Sequence, residues 1–157
     1  MIDVIQLDRR FFDEIVAHCQ GGYPDEACGL VAAKEGIPVR VIAMRNADAS
    51  QATYRLDPEE QFRVFEEIDT EGQELFAIFH SHTRSEAYPS PTDRRQALYP
   101  EARYLILSLQ DRSKPALRGF RILDGEVTEE DVMIEGVREP HEGGRDERGV
   151  ERSDAER

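Results

Sequence analysis

His80 and His82 stand two residues apart, directly after the apolar run Leu75-Phe76-Ala77-Ile78-Phe79. A short, aromatic-rich run of this kind reads as a buried strand. Side chains alternate faces along a strand, so the two imidazoles project on the same side. Two nitrogen donors at the end of a buried strand suit a metal. Zinc is the commonest metal held in this way, with Zn–N distances of roughly 2.0–2.1 Å. A catalytic zinc takes three protein ligands and keeps one position open. Asp93 is the candidate for the third ligand. It lies in Ser90-Pro91-Thr92-Asp93, where Ser90 has the character of a helix N-cap, Pro91 of the first helical residue and Asp93 of an acidic third residue. A capping box with no metal accounts for these four residues but leaves the histidine pair unexplained. The two readings are compatible, because a helix start orients Asp93 firmly and a metal ligand needs firm orientation.

His80-x-His82, seven residues, Ser90, two residues and Asp93 together resemble the JAMM motif of the MPN-domain metallopeptidases. That family also carries a glutamate inside a Pro-x-Glu-x-x-Gly pattern, and Pro24-Asp25-Glu26-Ala27-Cys28-Gly29 fits it. Taken alone, Glu26 would be read as a surface carboxylate near a turn. The resemblance implies a different part for it. His80, His82 and Asp93 become zinc ligands, and zinc lowers the pKa of its water from 15.7 toward roughly 7. Glu26 becomes the general base that takes the water's proton and returns it to the leaving amine. Ser90 becomes a hydrogen-bond partner of the water or of the developing oxyanion, a role that weakens if it is fully committed to its own helix.

The resemblance also implies a fold and a substrate class. The fold is a mixed α/β architecture, a cytidine-deaminase-like mixed β-sheet flanked by helices. The reaction is hydrolysis of a peptide or isopeptide bond after the C-terminus of a ubiquitin-like protein. A chain this short has no room for large insertions, and it is most similar to bacterial members that act on sulfur-carrier proteins with a Gly-Gly C-terminus, some of which release cysteine. The competing reading is a non-catalytic MPN-type scaffold. Such scaffolds usually lose ligand residues, whereas every motif position is filled here. A zinc deaminase would need a Pro-Cys-x-x-Cys ligand pair, and neither Cys19 nor Cys28 lies in one. A metallo-β-lactamase-like site would want an aspartate where Arg84 stands.

The elements that must carry these residues can be read in outline. Asp8 caps a first helix with Phe11, Phe12, Ile15, Val16 and Cys19 on one face, ended by Gly21-Gly22. His18 is expected at the surface. Leu30–Ala33 and Ile37–Met44 form a hairpin turned at Lys34-Glu35-Gly36, and Pro38 marks the second strand as an edge. Cys28 reads as strand packing rather than as a nucleophile. Tyr54-Arg55-Leu56 has the look of a short strand. Asp57 caps a second helix, with Pro58 first and a stripe of Phe62, Phe65 and Ile68, Val64 beside it. The Asp93 helix is expected to run on through Leu98. Tyr104–Leu109 is a second buried strand, and Leu117–Leu123 and Val127–Ile134 form a closing hairpin at Asp124-Gly125. Arg84, in the loop after His82, is read as a solvated cation, with contact to a substrate carboxylate as the alternative.

The 157 residues and 39% hydrophobic content fit one domain with its own core. The domain is expected over residues 1–137, and the charged, apolar-poor stretch 138–157 is expected to be a disordered tail, with His141 incidental. A net charge of −13 argues against nucleic acid and against anionic membrane surfaces. The N-terminus lacks a signal-peptide pattern, no apolar run approaches the roughly 20 residues that span a bilayer, and two cysteines are too few for a secreted scaffold, so a cytoplasmic protein is expected.

Overall fold

A computed structural model describes residues 3–136 of the chain. The expected tail over 138–157, with His141, lies outside the described residues. Seven strands form one sheet in the order β1-β7-β6-β5-β4-β2-β3. They are β1 (Val4–Asp8), β2 (Cys28–Lys34), β3 (Ile37–Met44), β4 (Glu74–His82), β5 (Arg103–Ser108), β6 (Ala116–Leu123) and β7 (Glu126–Glu135). The helices are α1 (Arg9–Gly22), α2 (Pro58–Thr70) and the short α3 (Pro91–Arg95). Pairs β1–β7 and β4–β5 are parallel and the others antiparallel, so the sheet is mixed, as expected.

Alternation along the inner strands splits the apolar residues between two cores. Val31, Phe79, Leu105 and Leu107 face α1, where Phe11, Ile15 and Cys19 meet them. Leu30, Ala32, Ile78 and Ile106 face the other way, toward Val64 and Ile68 of α2. His80 and His82 continue the even-numbered register of Ile78, and so they open onto the α2 side. β4 is buried along most of its length because β2 and β5 pair with it on both sides.

Four local expectations change. β1 lies outside the strands expected from the sequence, although Ile5 and Leu7 alternate with exposed neighbours and are fully buried. Phe62 is 67% exposed, because the buried face of α2 runs through Val64 and Ile68, with Phe65 beside them against Tyr99. α3 ends at Arg95 rather than Leu98. Pro100 disfavours helical backbone at Tyr99, and the Tyr99 amide donates instead to the Tyr104 hydroxyl at 3.0 Å. Tyr54–Leu56 forms no strand, only the single bridge Asn46–Leu56.

Candidate metal centre and active site

β4 delivers His80 and His82 to the same side, and the loop after it returns the chain to α3. Ser90 caps α3: its Oγ accepts from the Asp93 amide at 3.0 Å, and its own amide donates to Asp93 Oδ2 at 2.9 Å. This reciprocal box fixes the Asp93 carboxylate against the histidines. His80 Nε2 lies 3.2 Å from Asp93 Oδ2, and His82 Nε2 lies 2.9 Å from it. The two Nε2 atoms are 3.2 Å apart. All three residues are buried. Capping and convergence on a common point thus coexist.

The donor set fits a metal. A tetrahedral ion with ligand distances of roughly 2.0–2.1 Å would separate its ligands by about 3.3 Å, close to the two separations of 3.2 Å and a few tenths above the one of 2.9 Å. His82 Nδ1 sits 2.8 Å from the Glu86 carbonyl oxygen. A carbonyl can only accept, so Nδ1 carries the hydrogen and a neutral His82 turns its Nε2 lone pair toward the carboxylate. Two lone pairs then face each other unless a proton or a cation lies between them. Burial alone would raise the Asp93 carboxyl, but its contacts with the His80 and His82 nitrogens, which need a proton or cation between them, outweigh it and hold the group well below the usual range. Burial lowers His80. Burial would lower His82 too, yet its contacts with Asp93 and with the Glu86 carbonyl raise it. Tyr54 stacks on the His80 ring at 4.2 Å and covers it. His80, His82 and Asp93 are therefore a group that could hold a metal ion.

Glu26 reaches this site through strand pairing. Cys28 pairs with His80 across β2 and β4. Beyond that pair, the Ala27 amide donates to Ser81 Oγ at 2.9 Å and the Ser81 amide donates to the Ala27 carbonyl at 3.0 Å. Ser81 stands between the two histidines, so Ala27 pins its neighbour Glu26 beside them. Glu26 is only 5% exposed, unlike the surface carboxylate its local sequence suggests. Burial pushes its carboxyl up to about 8; nearby His82 opposes the rise, while Asp93 and Asp48 add to it. Its Oε1 is buried without a hydrogen-bond partner. It stands outside the three-residue group that could hold a metal ion.

Other sequence expectations meet mixed outcomes. Ser90 Oγ spends an acceptor on its cap, and the hydroxyl still has its hydrogen to donate. Burial pushes the Cys28 thiol up to about 12, which disfavours a thiolate nucleophile. Arg84 donates to the Gln51 side-chain oxygen. His18 is half-buried rather than at the surface: its Nε2 donates to the Cys28 carbonyl at 2.9 Å and its ring meets Phe79 edge-on.

Residues 8–122 match the family described as prokaryotic homologs of the JAB domain. The chain belongs to that family. Within it, the chain is 45% identical over 133 residues to a protein of Mycobacterium tuberculosis (strain CDC 1551 / Oshkosh) named CysO-cysteine peptidase, covering 83% of this chain and 90% of that protein. A desampylase of Haloferax volcanii is 35% identical over 107 residues, 64% of this chain and 77% of that protein. A solution structure from Desulfitobacterium hafniense superposes with a TM-score of 0.76 at 33% identity, covering 83% of this chain and 92% of that one. A JAB1/MPN domain protein from Archaeoglobus fulgidus shares the fold, with a TM-score of 0.56 at 17% identity, covering 83% of this chain and all of that one. The JAB-domain chain described here is an enzyme of the JAMM peptidase class. Among its described residues, no helix is long and apolar enough to cross a membrane.

Proposed function

We propose that this JAB-domain protein is a zinc-dependent peptidase. Its substrate would be a ubiquitin-like sulfur-carrier protein, cut after a Gly-Gly C-terminus to release a linked cysteine. The observation that supports it most is the convergence of His80 Nε2, His82 Nε2 and Asp93 Oδ2 within 3.2 Å of one another. The relative named CysO-cysteine peptidase favours an amino acid as leaving group, because it is more similar to this chain over a longer span than the desampylase.

His80, His82 and Asp93 would hold the zinc, whose Lewis acidity would acidify water and polarise the scissile carbonyl. Glu26 takes one proton from the attacking water and passes it to the nitrogen of the leaving amine. Its buried setting retains a proton up to about pH 8 without a cation; a cation beside it favours the carboxylate, the form a base requires. Ser90 turns its hydroxyl hydrogen to the developing oxyanion while its lone pair stays with the Asp93 amide. The Glu86 carbonyl keeps the His82 hydrogen on Nδ1, leaving Nε2 for the metal. The domain spans residues 1–137, and the cytoplasm is where such carriers would be met.

The test uses purified protein loaded with zinc and two carriers. One bears cysteine amide-linked to its C-terminal glycine; the other is joined through that glycine to a lysine side chain. Intact mass should show rapid loss of the cysteine residue from the first and slower cleavage of the second. Both carriers unchanged after prolonged incubation with zinc would overturn the proposal and favour a non-catalytic MPN-type scaffold.

A further inference from the structure

Glu26 has an unusual support. No hydrogen bond to its carboxylate is present among the described residues, and Oε1 is buried without a partner. Its position is therefore fixed by its backbone and by packing. Both backbone groups of Glu26 are held by one segment, residues 46–56. The Glu26 amide donates to the Ser50 carbonyl at 2.8 Å. The Glu26 carbonyl accepts from Asn46 Nδ2 at 2.9 Å.

Asn46 is the hub of that segment. Its Nδ2 also donates to the Thr53 carbonyl at 3.0 Å. Its Oδ1 accepts from the Asp48 amide at 2.9 Å and the Arg55 amide at 3.1 Å. The side-chain amide thus makes all four hydrogen bonds open to it. Two partners are carbonyls and two are N–H groups, so its orientation is unambiguous. The segment closes by backbone pairing, the Ala47 amide donating to the Arg55 carbonyl at 2.8 Å. Between those ends it carries Tyr54, which stacks on His80. One small loop therefore touches both the carboxylate's backbone and a ligand ring.

We infer that Asn46 is a positioning residue for Glu26, holding the backbone that aims the carboxylate at the metal centre. The inference rests on the assignment of Glu26 as the base. Aspartate at this position would keep the two acceptor bonds that shape the turn and lose both donors. Alanine would lose all four.

The experiment compares wild type with Asn46→Ala and Asn46→Asp, each zinc-loaded, by amide hydrogen exchange and by turnover of the cysteine-bearing carrier. Exchange at the Glu26 amide should quicken by about tenfold or more in both variants, while Ile78 and Leu105 in the central strands keep wild-type protection. Turnover should fall roughly 10–100-fold in kcat, the scale seen for outer-shell partners, with zinc content unchanged and KM within about twofold. In a Glu26→Gln background the Asn46 changes should add under about twofold, because the group they aim is already gone. Wild-type protection at Glu26 would overturn the inference. So would equal kcat losses in both backgrounds. Loss of protection throughout the sheet in both variants would overturn it as well, by making Asn46 a residue of the whole fold. If wild-type protein cleaves no carrier, the functional proposal fails separately, and the exchange pattern still decides the place of Asn46.

Discussion

His82 Nδ1 faces the carbonyl oxygen of Glu86 at 2.8 Å, and that contact sets which nitrogen of the ring is left for a metal. Nε2 is the free one, 2.9 Å from Asp93 Oδ2. Replacing His82 should therefore abolish metal binding. The variant His82→Ala is expected to fall from about one zinc per chain to near none. Chelation should lower the melting temperature of wild type but leave the variant unmoved, since ligand at a hundred times its dissociation constant stabilises a protein by about 2.7 kcal/mol. Metal analysis and paired melts check this; undiminished zinc in the variant would mean another ligand set.

Glu26→Gln keeps the shape of the side chain and leaves His80, His82 and Asp93 untouched. It should retain zinc yet lose roughly 10²–10⁴-fold in kcat, the contribution typical of a general base. Steady-state assay with parallel metal analysis reads both. Turnover at the wild-type rate would remove Glu26 from the reaction.

The pH dependence of stability follows from the same residue. Burial raises the folded-state value of Glu26 to about 8, above an ordinary glutamate near 4.3. Between those values the folded metal-free protein holds a proton that the unfolded chain has lost. The contribution is therefore full at low pH and declines as pH rises through about 8, by up to about 1.4 kcal/mol per pH unit. Denaturant unfolding of the metal-free protein from pH 5 to 9 should show this slope in wild type, and a flatter one in Glu26→Gln. Parallel slopes would contradict it.

Gly29 closes the Pro24–Gly29 stretch, and the structure supplies a reason for glycine there. A Cβ at this position would collide with the Ile42 carbonyl oxygen and the Phe79 ring. Phe79 is fully buried and directly precedes His80, so neither neighbour can yield freely. Gly29→Ala should destabilise the fold by roughly 1–3 kcal/mol, the usual cost of overpacking. It should also weaken zinc binding, because relief of the clash moves β4. Denaturation and zinc titration test both; stability equal to wild type would show that β3 shifts without cost.

Much of this was legible in the residue order because its signals are local. The histidine spacing, the Ser90 box and the aromatic run before His80 each depend on a few adjacent residues, and the structure keeps all of them. What escaped depends on distant partners. Glu26 looks like a surface carboxylate until β2 pairs with β4 and Ser81 takes hold of Ala27. Phe62 and Val64 are both plausible core residues of α2; which one is buried depends on where Tyr99 and the sheet lie. β1 is five residues long and takes its place by pairing with β7, the last described strand, and by burying Ile5 and Leu7. Asn46 showed no sign in the sequence, since its four partners are set by the path of a loop.

His80 belongs to an inner strand paired with β2 on one edge and β5 on the other, and His82 is paired with β5. Neither histidine can change register without breaking ladder bonds, so the sheet holds the pair rigidly. Under the proposed function, adaptation falls to the carrier, whose C-terminal end gives up conformational freedom on binding.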